Sequence, residues 1–140
     1  MRFFVDEDLD GEAFVRPLRE AGLELIRHRD RFAKGIADAE WIPIAANQGW
    51  IVLSANTGMR LVPLEVEAIV RTGARVLYLR QGRGTTHAGL ASLLLRSARR
   101  VDAFFAAGTR PRVGVLRRLS HAEDPDGVKP GRIEIPSAFQ

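Results

Sequence analysis

The segment FFVDEDLDG, residues 3–11, runs from a short apolar stretch straight into Asp6, Glu7, Asp8 and Asp10. Asp6 and Asp8 are two residues apart, which puts both on one side of a strand that continues that far. Carboxylates packed together repel and resist ionisation. A divalent cation such as Mg²⁺ or Mn²⁺ removes the conflict, because it takes hard oxygen ligands and often sits between carboxylates and a phosphate. Such an ion also acidifies water and offsets charge on a phosphodiester under attack. Asp38 and Glu40, in DAEW, are candidates for the same centre. Each acid has a plainer role open to it. Asp10 and Glu12 suit the first turn of a helix beginning near Gly11, and Glu7 suits solvent. Asp38 suits a helix N-cap and Glu40 the turn that follows.

The positive charge is mostly arginine: Lys34 and Lys129 are the only lysines, and the net charge is +4. Arginine's planar fork matches phosphate. Arg27, His28, Arg29 and Arg31 cluster after a predicted strand, where they form either a phosphate-contacting rim or a solvated loop balanced by Asp30. Arg60 and Arg80 fall near strand-end loops and invite the same reading. The chain has no cysteine, which excludes disulfides, thiolate metal sites and cysteine nucleophiles. Its histidines lack the spacing of a zinc signature. QGRGTTHAG is not a Walker loop, since no Gly-Lys-[Ser/Thr] follows; Thr85 or Thr86 as a helix N-cap explains it. Trp41 and Trp50 read as core or subunit-contact residues. Glu65 and Glu67 follow Pro63 and suit a helix start, with one a possible late contributor to the acidic centre.

The elements that must position these groups alternate. Strands are predicted at Arg2–Val5, Leu23–His28, Trp50–Ser54 and Ala74–Arg80. Helices are predicted from Gly11 to Ala21, with Pro17 marking a start or a bend, from Asp38 to Asn47, from Pro63 to Thr72, and from His87 to Ala107 as one long amphipathic helix. RVGVLRRL and GRIEIP suggest a C-terminal hairpin. This order predicts a mostly parallel sheet covered on both faces, with its site outside the carboxyl ends of the strands. At 140 residues, a single domain over 1–140 is expected. No stretch approaches the ~20 apolar residues of a membrane helix. No signal peptide is visible, so a cytoplasmic protein is expected.

FFVDEDLDG, LREAGLELIRHRD, DAEWIPIAANQGWIVLSAN and RLVPLEVEAIVRTGARVLYL, taken in order and spacing, resemble the PIN-like domains of the VapC-type toxin branch. The resemblance covers most of the chain. It implies a three-layer α/β sandwich with a twisted, mostly parallel sheet and a C-terminal β-hairpin. It implies a Mg²⁺- or Mn²⁺-dependent endoribonuclease, often the toxin of a toxin–antitoxin pair, with an RNA substrate, a cognate antitoxin and a homodimeric assembly. Carried over by position, Asp6 is the first metal-binding acid, and Asp38 with Glu40 matches the acids that open the next helix. Asp6, Asp38 and Glu40 are thus the catalytic candidates, and Asp6, Asp8, Asp38 and Asn56 the metal candidates. Arg27, Arg29, Arg60 and Arg80 are the RNA-binding candidates. The departure is Asn56, which stands where the family has its third acid and brings no charge. An inactive RNA- or protein-binding module is therefore the alternative. A phospho-receiver domain is a third reading; it needs an aspartate after strand three and a lysine after the last parallel strand, and the chain has neither.

Overall fold

The computed structural model describes residues 1–56 and 62–140, with Asn56 described by its backbone alone. Arg60 lies outside the described residues. Among those described, the strands are β1 (Arg2–Val5), β2 (Glu24–Arg27), β3 (Ile51–Asn56), β4 (Arg75–Arg80), β5 (Arg112–Arg117) and β6 (Arg132–Glu134). They form one sheet in the order β2-β1-β3-β4-β5-β6. Every pairing is parallel except β5 with β6, which is antiparallel and forms the C-terminal hairpin.

Alternation along the strands sorts the core into two layers. Phe3, Val5, Ile51, Leu53, Leu77, Leu79 and Leu116 face α1 (Glu12–Glu20), α5 (His87–Arg96) and α6 (Ala98–Ala106). Phe4, Val52, Val76, Tyr78, Val113 and Val115 face α3 (Asp38–Gln48) and α4 (Pro63–Thr72). Trp41 and Trp50 are buried in this second layer, where Trp50 stacks on Phe4 with ring centroids 5.7 Å apart. The three-layer sandwich of the sequence reading is the observed fold.

Three local expectations change. Pro17 neither starts nor delays α1, which begins at Glu12 and runs through it. An interior proline costs ~3 kcal/mol, but α1 buries Phe14, Val15 and Leu18, each worth ~1.5–3 kcal/mol. His28 leaves β2 and opens a short helical turn, α2 (His28–Arg31). The single long helix is two: α5 and α6 meet at Ser97, which is buried and whose hydroxyl accepts from the Gly131 N–H at 2.8 Å. Pro63 at the start of α4 and Gly73 in left-handed conformation at its end match their sequence roles.

β1 is followed by β2 on one side and flanked by β3 on the other. The chain thus reverses its winding direction between β1 and β3, the place where α/β sheets open a crevice at their carboxyl edge.

Candidate active site

β1 ends at Val5, and the Asp6 N–H donates to the Leu53 carbonyl at 2.9 Å, which anchors Asp6 at the crevice. The chain then makes a 3₁₀ turn over Glu7–Leu9, capped by Asp6 Oδ1 accepting from the Glu7 N–H at 2.6 Å. The strand does not continue, so strand alternation is not what aligns Asp6 and Asp8. The turn brings them together instead. Ser54 Oγ lies 2.9 Å from Asp6 Oδ2 and 3.3 Å from Asp8 Oδ2, and the Ala55 N–H donates to both Asp8 oxygens at 3.2 and 3.3 Å.

Asp38 comes from the far side, at the first position of α3. Ala37, not Asp38, is the N-cap, and Asp38 Oδ1 accepts from Trp41 Nε1 at 3.1 Å. The carboxylate is therefore fixed by a core tryptophan. Asp6, Glu7, Asp8 and Asp38 line one open depression of about 390 Å³.

This depression is electrostatically uncompensated. Burial, then the Asp8 and Asp38 charges, push the Asp6 carboxyl up to about 7, against hydrogen bonds from Ser54 and the Glu7 N–H. Burial also raises Asp8, with Asp38 adding to it, while the Ala55 N–H, Ser54 and the His87 imidazole oppose. Of Glu65 and Glu67, read from the sequence as helix-start acids with one a late contributor to the acidic centre, Glu65 is the one turned inward. Glu65, near the start of α4, accepts a hydrogen bond from the Tyr78 hydroxyl on β4. Burial raises the Glu65 carboxyl despite that bond, and the Asp38 and Asp8 charges raise it further. Burial and the neighbouring Glu65 push the Tyr78 hydroxyl up in turn. Its helix-start position was legible in the sequence; its inward turn is a property of the α4–β4 packing.

The donors are hard oxygens with excess negative charge, which fits a hard divalent cation. Asp6, Asp8 and Asp38 are the residues that would hold it. Among the described residues no three carboxylates or imidazoles already close around one point, so the arrangement is open rather than preformed.

Other candidates fall elsewhere. Glu40 is exposed on α3 and does not line the depression. Glu7 does line the depression, but it is exposed and accepts from the Gly35 N–H. Arg27 is not on a rim: it is buried, with Nε 2.5 Å from Asp10 Oδ1 and Nη1 2.8 Å from Glu12 Oε1. Asp10 also takes the Arg29 N–H at 3.0 Å and the Arg29 guanidinium at 3.3 Å. Arg27 and Arg29 of the basic cluster thus form one ion-pair network with Asp10 and Glu12, the acids expected to support α1. Arg80 is exposed at the end of β4 and lines a cavity of about 630 Å³ with Arg96, Arg118 and Thr86. Thr86 caps α5 by accepting from the Gly89 N–H at 3.0 Å. Arg80 ends β4 in register with the end of β3, so the cavity lies at the same carboxyl edge of the sheet as the acidic depression.

Residues 1–81 match the family model described as "PIN like domain". Over 77 residues the chain is 31% identical to "Putative ribonuclease VapC45" of Mycobacterium tuberculosis, covering 52% of this chain and 56% of that protein. The matched stretch thus spans little more than half the length of that relative. No solved structure matches. The family match takes in β1 through β4, and so every acid that lines the depression; on that basis the chain belongs to the PIN-like domain family.

Proposed function

We propose that the protein is a ribonuclease of PIN type that depends on Mg²⁺ or Mn²⁺ and hydrolyses RNA phosphodiester bonds as the toxin of a toxin–antitoxin pair. The observation that carries this reading is the convergence of Asp6, Asp8 and Asp38 at the β1–β3 crevice, with Asp6 raised to about 7 by burial and by its acidic neighbours. Carboxylates in that state favour a cation between them. The family and the relative named a ribonuclease support the substrate class.

When bound, a divalent cation supplies a Lewis acid against the scissile phosphate and acidifies water. The chain's own groups do the rest. Ser54 and the Ala55 N–H hold Asp6 and Asp8 in place, and Trp41 holds Asp38. Arg80, at the carboxyl end of β4, and Arg118 offer guanidinium charge in the neighbouring cavity wall for the RNA backbone. Arg27 is left out of that rim because its fork is engaged inside the protein.

An antitoxin that covers the depression and a homodimer complete the proposal. Ile44 on α3 and Leu64 and Val70 on α4 are exposed apolar side chains available to such contacts. Among the described residues no helix is long and apolar enough to cross a membrane. Asn56 favours one second reading, a PIN-like module that binds RNA without cutting it.

The test is cleavage of a structured RNA by purified protein with Mn²⁺, with EDTA and Asp6→Asn run alongside. Cleavage lost in both controls supports the nuclease. Mn²⁺-independent binding of RNA without cleavage supports the second reading, and cleavage that persists in Asp6→Asn refutes the site.

A further inference from the structure

We propose that Glu65 is the carboxylate that makes up for Asn56 in the cation site. The inference rests on the nuclease reading above and adds to it a residue and a reason that the site survives the loss of an acid.

Three observations converge on Glu65. First, α4 follows β3 and starts at Pro63, so its first turn is delivered to the same carboxyl edge that holds Asp6 and Ser54. Second, Glu65 is half-buried and tied to β4 by the Tyr78 hydroxyl, which donates to Oε1; Tyr78 itself is only 3% exposed. That bond sets one carboxylate oxygen and leaves Oε2 without a partner among the described residues. Third, Tyr78 pairs in register with Ser54, whose hydroxyl serves Asp6 and Asp8, so Glu65 is held on the face of the sheet where these acids gather.

A helix-start acid needs none of this. Complementing the dipole of α4 is a small gain at an exposed position. Turning the same carboxylate inward, against two other acids, costs desolvation and repulsion that exceed such a gain. Glu67, two residues on, shows the ordinary outcome and is exposed. An acid placed against its own kind needs a positive charge between them, and no arginine or lysine pairs with Glu65 among the described residues. With Asn56 neutral, Glu65 restores the negative charge that the third family acid would have supplied, from α4 rather than from the end of β3.

Mn²⁺ titration followed by electron paramagnetic resonance tests this on the full chain, without RNA. Glu65→Gln keeps the shape of the side chain and the Tyr78 bond but removes the charge. It is expected to weaken Mn²⁺ binding ~10–100-fold, while melting of the metal-free protein stays the same or rises. Asn56→Asp in that background is expected to recover most of the affinity, and Glu67→Gln to leave it unchanged. Should Glu65→Gln fail to fold, Glu65→Asp, which withdraws the charge by one methylene, carries the same expected loss. Equal Mn²⁺ affinity in the parent and Glu65→Gln overturns the role of Glu65 and leaves the nuclease reading standing. A parent that binds no Mn²⁺ overturns both.

Discussion

Ser54 shares one hydroxyl proton between two carboxylates: its Oγ stands 2.9 Å from Asp6 Oδ2 and 3.3 Å from Asp8 Oδ2. A hydroxyl has one hydrogen to give. It therefore serves Asp6 better and leaves the pair short of positive charge. Among the described residues neither acid has an ion-pair partner, and burial, with the Asp8 and Asp38 charges, holds Asp6 up near 7 rather than at the ordinary aspartate value of 3.8.

That relationship sets a pH dependence. Because the folded-state value of Asp6 lies above the ordinary one, the folded protein holds this proton more tightly than the unfolded chain. The contribution to stability is complete below about pH 4 and is lost as pH rises through about 7. Asp6→Asn removes the ionisation and should flatten that decline in EDTA. One pKa unit is about 1.4 kcal/mol, so the gain at pH 8 is bounded at a few kcal/mol. Mn²⁺ should raise the melting temperature of the parent at pH 8 and that of the variant far less. Thermal melts at pH 5 and pH 8 decide it; an unchanged slope in Asp6→Asn would mean that Asp6 ionises freely.

Asp10 should behave in the opposite sense. Burial pushes its carboxyl up, but the Arg29 N–H and the Arg27 guanidinium outweigh that and hold it below the usual range. Its contribution is present above the ordinary aspartate value and is lost as pH falls through the depressed one. The Asp10 and Arg27 side chains are 4% and 8% exposed, so removing one partner strands the other. Arg27→Ala should cost ~3 kcal/mol or more. The double variant with Asp10→Ala should cost less than the sum of the two singles. Urea denaturation of the four proteins checks this; additive losses would dissolve the pair.

Gly131 stands just before β6, at the loop end of the β5–β6 hairpin. A Cβ there would stand 2.6 Å from the Arg117 carbonyl and 2.9 Å from the side chains of Leu116 and Leu93. The Arg117 oxygen belongs to the sheet backbone and cannot swing away. Gly131→Ala should therefore cost at least the ~1–3 kcal/mol typical of overpacking. It should also strain the Gly131 N–H bond to Ser97 that holds the α5–α6 break. A melting temperature equal to that of the parent would show that the hairpin gives way freely.

The parts that were legible in the sequence are those whose cause is local. Apolar runs such as IVL and RVLYL make buried parallel strands wherever they pair. Pro63 and Gly73 mark the two ends of α4 by their own backbone limits. What stayed hidden depends on distant partners. Arg27 looks like a surface cation until Asp10, 17 residues away, is seen beneath it. The break at Ser97 answers to Gly131, 34 residues on. Asp6 and Asp8 were recognised as a pair, yet through a strand that ends before them; Ser54 and a 3₁₀ turn bring them together. Glu65 and Glu67 both fit a helix start, and the sequence does not say which of the two turns inward; the Tyr78 hydroxyl on β4 decides it.

Arg80 and Arg118 provide the last prediction, since they separate RNA binding from the cation site. Both are exposed and line the cavity beside the N-terminus of α5, and neither forms an ion pair among the described residues. Arg96, in the same wall, is already engaged with the Lys129 carbonyl and Ser92. A guanidinium free of partners gains most from a phosphate, and the displaced counterions make that gain dependent on salt. Arg80→Ala and Arg118→Ala should weaken binding of single-stranded RNA whatever its sequence. Each should reduce the slope of log affinity against log salt by ~0.7. Neither should change Mn²⁺ affinity, because neither touches Asp6, Asp8 or Asp38. Fluorescence anisotropy across a salt series reads the first effect and Mn²⁺ titration the second. An unchanged slope in both variants would place the RNA path elsewhere on the carboxyl edge, whereas a loss of Mn²⁺ binding would make the cavity part of the acidic centre itself.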